Sequence, residues 1–289
     1  MLRTFLDVTI AGLTMGGLYA LIALGLSLQW GVTRVLNIAH GEFLMLGAFS
    51  AYFLYSLLGI SPLLSLVICA PIFLWIGFLL HKVLFRRLLR TTGSMAAYGV
   101  ASLLAAYGLM FILQNAASLS VGPRLRAYSY LAQSITLFGA TFAVNRLVAL
   151  GVSVGICIII YLFLARTRLG KAIRAAAEDM NTAQLMGINI YWVLGISFGL
   201  GTMLAAMGGS LISMMYSVAS FMGLPYLIIA FIVVVLGGMG NILGSLIGGI
   251  ILGLVGSITT SFYPGLGMVA FYIIFVIILL VRPTGIFGK

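Results

Sequence analysis

The sequence is short of charge, and of acid above all. Only 7% of its 289 residues are charged, and four of these are acidic: Asp7, Glu42, Glu178 and Asp179. A soluble domain carries about 25% charged residues. With 63% of the chain hydrophobic, no soluble fold could find enough polar surface to cover itself, so the sequence is that of an integral membrane protein. Histidine and cysteine are also scarce. The two histidines, His40 and His81, and the two cysteines, Cys69 and Cys157, do not have the spacing of metal ligands, and no metal site is expected. Both cysteines lie in apolar runs and read as small packed hydrophobes. Gly151-Val152-Ser153-Val154-Gly155 and Gly195-Ile196-Ser197-Phe198-Gly199 have the Gly-x-Ser-x-Gly spacing, but both lie inside long apolar runs and not at a strand-to-helix turn. There is no His-Glu-x-x-His and no plausible intramembrane pair of acids, so no catalytic residues are expected. The nearest approach to a phosphate-binding loop is Gly170-Lys171. It is followed by Ala172 and has Ala165 where the first glycine belongs, so this chain does not hydrolyse ATP by that route and no cofactor is expected in it.

What the sequence does have is apolar length. A span needs roughly 20 apolar residues, and candidates fall at about 5–30, 37–58, 62–82, 95–117, 144–165, 190–216, 224–240, 242–262 and 268–281. The runs at 224–240 and 268–281 are short enough to be half-helices or tilted pieces. Eight or nine mostly helical segments are therefore expected, forming one all-α transmembrane domain over 1–289. The first run is long, has Asp7 near its start and lacks a clear small-residue cleavage site, so it reads as a span and not a cleavable signal. Thirty-six glycines suit closely packed membrane helices.

A net charge of +11 would suggest a nucleic-acid partner for a soluble protein. Here the basic residues flank apolar spans, where they set orientation. One set of short loops between spans holds Arg34, Lys82, Arg86, Arg87, Arg90, Arg166, Arg168, Lys171, Arg174, Arg282 and Lys289; the other holds Arg3, Arg124, Arg126 and Arg146. The richer side is expected to be cytoplasmic, which with nine spans puts the N-terminus outside and the C-terminus inside. The longest external segment, about 118–143, is too short for a domain. Its Ile135-Thr136-Leu137-Phe138 run suggests a strand or small hairpin.

Three polar stretches stand out. The first is 166–189, which interrupts the apolar chain with six charges: Arg166, Arg168, Lys171, Arg174, Glu178 and Asp179. Thr167 can cap a helix starting at Arg168. Ala172, Ile173, Ala176, Ala177, Met180 and Ala183 recur at helical spacing. Asp179 or Asn181 can cap a second short turn, and Gly187 can close it in a left-handed conformation. One or two short amphipathic helices follow, either docked in a groove of another protein or lying on anionic lipid. The second stretch is Asn37-Ile38-Ala39-His40-Gly41-Glu42. Ionisable groups at membrane depth usually face a pathway or a partner, yet the same residues also suit a polar cap with Glu42 in the first turn. The third runs from Gly237-Gly238-Met239-Gly240-Asn241 through Gly244, Gly248, Gly249 and Gly253. It reads as close helix packing or as a turn between half-helices.

These motifs carry a resemblance over essentially the whole chain. Gly16-Gly17-Leu18-Tyr19-Ala20-Leu21 with Asn37 to Glu42, Thr167-Arg168-Leu169-Gly170-Lys171-Ala172-Ile173-Arg174 with Glu178-Asp179 and Leu185-Met186-Gly187, and Leu236-Gly237-Gly238-Met239-Gly240-Asn241 are similar to the LivH-like permease subunits of bacterial ABC importers for branched-chain amino acids. The resemblance implies an importer whose halves are related by an inverted repeat. Asn37 and Asn241, each before a glycine-bearing run, give only a faint sign of one. It implies a multi-pass protein of the bacterial inner membrane. The implied partners are a second, LivM-like permease, two ATP-binding subunits that hold ATP and Mg, a periplasmic binding protein and membrane lipid. The loop 166–189 would couple to the ATPase through Arg174, Ala176, Glu178, Asp179, Thr182, Ala183, Leu185 and Gly187. Asn37, His40, Gly41, Glu42, Gly238, Gly240 and Asn241 would line or gate the path. Branched-chain amino acids are the first choice of solute. The family also takes urea, short amides and aromatic or other carboxylates. A stand-alone channel or secondary transporter would usually need intramembrane ionisable groups for ion coupling, for which only Glu42 and His40 are candidates. The same two residues are all that favours an intramembrane enzyme.

Overall fold

The computed structural model describes residues 2–137 and 140–288. In chain order the helices are α1 (Leu2–Thr33), α2 (His40–Leu58), α3 (Pro62–Leu80), α4 (Arg86–Thr91), α5 (Met95–Val121), α6 (Val144–Arg166), α7 (Arg168–Glu178), α8 (Met180–Leu185), α9 (Ile190–Ser213), α10 (Gly223–Gly237), α11 (Ile242–Phe262) and α12 (Gly267–Val281). Among the described residues seven helices are long and apolar enough to cross a membrane, while α10 and α12 are apolar but shorter. The seven and the two together match the nine expected runs, and the two short ones are those that the sequence marks as short.

One expectation needs correction. Lys82, Arg86, Arg87 and Arg90 are not on a loop. A π-helical turn, His81–Phe85, joins α3 to α4 without a break, and the apolar helix runs from Pro62 to Thr91. Most starts and stops have local causes. Ser61 accepts from the Leu64 amide with Pro62 in the first turn of α3, Ser94 caps α5, Asn189 caps α9, and Gly59 ends α2 with φ of 67°.

α1 lies at the centre, packed on α6, α9, α10 and α11, and α9 packs in turn on α2 and α3. These contacts are close because glycine sits at them. A Cβ on Gly16 would meet the α11 backbone at Ile250, and one on Gly47 would strike the Ala206 carbonyl of α9. α5 and α6 instead turn large apolar side chains outward, among them Leu104, Ile112, Ile158 and Ile159.

Arg34 donates to the Ala177 carbonyl of α7, Arg86 and Arg90 lie on Tyr191 at the start of α9, and Gly240 touches Gly31. The basic set Arg34, Lys82, Arg86, Arg87, Arg90, Arg166, Arg168, Lys171, Arg174 and Arg282 therefore shares one end of the bundle, the basic face. Lys289 lies outside the described residues. At the opposite face the expected hairpin forms: β1 (Ser134–Leu137) pairs antiparallel with β2 (Ala140–Ala143). The Phe138 of the expected strand lies outside the described residues. Tyr52, Tyr55, Tyr128 and Tyr130 cluster beside the hairpin, the level at which membrane proteins collect aromatic side chains.

Two helices begin inside the bundle. After α1 reaches the basic face, the link 34–39 turns back, and the His40 ring meets the Ile22 carbonyl. Ile22 lies eleven residues before the end of α1, about 16 Å above it at 1.5 Å per residue. The link 214–222 enters from the other face, where Val218 pairs with Arg126 and Asn145 donates to the Met214 carbonyl. It delivers Gly223, the first residue of α10, beside Gly41. Thus α2 and α10 start at the same depth from opposite faces, as an inverted repeat requires. The two breaks that meet there are 34–39 and 214–222. Asn37 and Asn241 do not correspond, because both sit toward the basic face and an inversion would place them on opposite ones.

Candidate functional site

The junction of α2 and α10 holds a buried polar network centred on Gln29. The Gln29 amide nitrogen donates to the Phe198 carbonyl at 3.1 Å and to Thr202 Oγ1 at 3.2 Å. Its oxygen accepts from Asn37 Nδ2 at 3.2 Å and lies 3.2 Å from His40 Nδ1. His40 Nε2 donates to the Ile22 carbonyl at 3.1 Å. Gln29, Asn37, His40 and Thr202 are all fully buried. Asn37 and His40 therefore spend hydrogen bonds on fixing the link 34–39 between α1 and α9, and they present no exposed group to a path in this conformation. Gln29 carries no charge and stands within a long apolar helix. Its only sequence signal was an amide at membrane depth, where an unpaired polar group is costly.

Replacing Gln29 by Leu removes one partner from several buried groups at once. Each orphaned group costs about 1–3 kcal/mol, so unfolding in detergent should begin well below the wild-type temperature. An unchanged transition would mean that the network does not hold α1 to α9.

Glu42 is buried in the first turn of α2, where the helix dipole favours a carboxylate. A Cβ on Gly223 would come within 2.8 Å of Glu42 Oε1, so the acid sits at the start of α10 as well as of α2. Its other oxygen, Oε2, has no partner. Gly41 admits the α10 backbone, since a Cβ there would collide with the Gly223 carbonyl.

The remaining path candidates are elsewhere. Gly238, Gly240 and Asn241 form the turn after α10, roughly 22 Å from Gly223 along the helix. Asn241 Oδ1 caps α11 by accepting from the Gly244 amide at 3.0 Å, and its Nδ2 donates to the Phe287 carbonyl at 2.8 Å. Gly238 and Gly240 have φ of 94° and 82°, which side chains rarely adopt. A further cavity of about 380 Å³ lies between α1, α11 and α12, lined in part by Met15, Tyr19, Tyr216, Ser257, Thr260 and Phe271. Its walls come from four separated stretches, which no local pattern in the chain connects.

The second assembly is the pair α7–α8 on the basic face. Thr167 Oγ1 accepts from the Gly170 amide to start α7, Asp179 Oδ1 accepts from the Asn181 amide to start α8, and Gly187 follows with φ of 83°. All three expected caps are therefore in place, with Asp179 as the second. Ile173, Ala176 and Ala183 are buried against the bundle. Arg174 folds back to donate to the Ala165 carbonyl, and Arg34 ties the end of α7 to the link 34–39. Glu178, Asp179, Thr182, Leu185 and Gly187 are exposed, as is Met186. The expected docking residues thus divide. Ala176 and Ala183 seat the pair, and the others with Met186 form its outer surface.

The Thr182 hydroxyl, together with the amides of Asn181 and Thr182, holds the Asp179 carboxyl below its ordinary value. A depressed folded value means that the cap is fully present above the unfolded value and is lost only as pH falls through the lower one. At neutral pH it is therefore intact.

Residues 8–280 match the family model described as the branched-chain amino acid transport system permease component. The chain is 32% identical over 304 residues to the high-affinity branched-chain amino acid transport system permease protein BraD of Pseudomonas aeruginosa, covering 99% of this chain and 96% of that one. It is 31% identical to the LivH permease of Salmonella typhimurium, with the same coverage. It is also 31% identical to a probable LivH of Methanocaldococcus jannaschii, over 94% of this chain and 89% of that one. The solved structure of PsaBC from Streptococcus pneumoniae in complex with Fab shares the fold, with a TM-score of 0.52 at 14% identity, covering 98% of this chain and 93% of that one.

Proposed function

The chain belongs to the family of branched-chain amino acid transport system permease components, and from that premise we propose that it is the membrane subunit of an ATP-driven importer that carries branched-chain amino acids across a bacterial inner membrane. The observation that carries the reading is the linkage between the two assemblies. Arg34 joins α7 to the link 34–39, and that link ends at the junction where α2 and α10 begin. A push on α8 would reach the mid-depth break through one hydrogen-bonded connection.

In this reading two ATPase subunits, which hold ATP and Mg, close on nucleotide and press on the outer surface of α7–α8. A second, LivM-like permease completes the path, and a periplasmic protein delivers the solute. Alternating access then follows from rocking of the bundle about the α2–α10 junction. The excess of Lys and Arg on the face of α7–α8 supports a cytoplasmic location for that face and for the C-terminus. Glu42, with one oxygen free of partners, is the group in this chain best placed to meet an ammonium passing the junction.

Uptake of labelled leucine and of labelled urea by the assembled complex tests the reading. ATP-dependent leucine uptake with no urea uptake is expected. Urea uptake without leucine would move the assignment to the short-amide importers of the same architecture. Solute movement by the chain alone, without an ATPase, would make it a stand-alone channel or secondary transporter.

A further inference from the structure

The π-helical turn His81–Phe85 has no part in the transport reading. The Arg86 amide donates to the His81 carbonyl five residues back, so the helix carries one extra residue there, and such insertions recur at functional sites. Both His81 and Arg86 line a cavity of about 240 Å³, together with Lys82, Asn189, Tyr191 and Trp192. His81 is fully buried, its ring between Phe85 and Phe198, yet neither ring nitrogen has a hydrogen-bond partner. Arg86 Nε is likewise unpartnered. The guanidinium groups of Arg86 and Arg90 lie over the Tyr191 ring at 4.5 and 4.9 Å. Stacking uses the face of a guanidinium and leaves its N–H edge for an anion. No acid forms an ion pair with these cations among the described residues. The N–H of the His81 ring and the Arg86 Nε–H, on aromatic walls beside uncompensated cations, lack an anionic acceptor.

We propose that this cavity binds the phosphate of an anionic membrane lipid. Its place favours a lipid over a soluble anion. It lies at the start of α9, on the basic face, where anionic headgroups meet basic pockets between helices. Trp192 in its wall is 48% exposed, and Leu79 and Val83, next in the chain to the lining residues Phe78 and Lys82, are 56% and 64% exposed, an apolar margin that acyl chains cover and a free phosphate leaves bare. The bound lipid would brace the π turn against α9 immediately after α8.

The test uses the full chain, co-expressed with its partner subunits and extracted in mild detergent. Native mass spectrometry is run with phosphatidylglycerol and phosphatidylethanolamine at equal concentration. Phosphatidylglycerol adducts are expected to exceed the others at least fivefold. The Lys82→Gln/Arg86→Gln chain should lose that preference, and Arg87→Gln/Lys171→Gln, which removes the same charge, should keep it. Equal binding of the two lipids, or equal loss in both variants, overturns the proposal. Inorganic phosphate at millimolar concentration should not displace the lipid; displacement with matching thermal stabilisation by phosphate alone would make the ligand a soluble anion. A photoreactive phosphatidylglycerol analogue on the wild-type chain gives the position without any variant. Crosslinks are expected on peptides spanning 79–86 or 189–195, and crosslinks confined to other segments would refute the site.

Discussion

The Leu185→Asp chain is expected to fold and insert normally but to lose its ATPase partners. Leu185 is 87% exposed and Met186 79%, so neither supports the fold from within, and substitutions at such positions ordinarily change stability by less than about 0.5 kcal/mol. Two large apolar side chains at the tip of a short helix are instead the kind of anchor that an interface buries at its centre. An anchor of that kind contributes about 2 kcal/mol or more, roughly thirtyfold in affinity. Co-purification of the ATPase should fall accordingly and leucine uptake with it, while thermal unfolding of the chain in detergent stays at the wild-type temperature. Full retention of the ATPase would place the docking surface elsewhere. Ala183→Arg makes the contrast. Ala183 is 4% exposed, so an arginine there attacks the seat of α8, and stability should drop along with partner binding.

Gly41→Ala should be more damaging than its single methyl suggests. The added carbon would run into the Gly223 carbonyl, and a carbon on Gly223 would meet Gly41 in return. Overpacking costs about 1–3 kcal/mol when side chains can yield. Here the obstacle is backbone at the first turn of two helices, so roughly 3 kcal/mol is expected, with uptake reduced to background. Gly108→Ala is the matched control, because nothing lies within 4 Å of its added carbon and alanine favours a helix over glycine by roughly 1 kcal/mol. If the two variants melt and transport alike, α2 and α10 do not abut at Gly41.

Much of this was legible in the sequence, for physical reasons. The α7–α8 pair could be read because its determinants are local: a Thr cap, an Asp cap, a left-handed glycine and small residues at helical spacing all act within a few positions. The short runs at 224–240 and 268–281 could be read because apolar length is a property of the run itself. The depth at which α2 begins could not, since it depends on Gln29 and His40 meeting across eleven positions and on α9 supplying Phe198 and Thr202. The π turn was hidden for a related reason. One shifted hydrogen bond leaves no trace in composition, and a basic stretch after a span reads as a loop until the backbone is seen. The inward faces of Ala176 and Ala183 were equally silent, because a small residue on an amphipathic helix suits its own bundle as well as a partner's groove.

The shortness of α10 has a consequence for how the chain is made. Its 15 residues span about 22 Å, against a hydrocarbon layer of about 30 Å, so it cannot enter the membrane as an independent stop. It is joined to α11 by the tight turn Gly238–Asn241, with Gly237 against Gly244. The two helices should therefore insert together as a hairpin, during synthesis, with α11 supplying the length that α10 lacks. The link 214–222 then waits in the bilayer with unpaired backbone groups until α2 and α5, made long before, close around it. The last third of this protein can complete its insertion only on a bundle that α1 to α5 have already built.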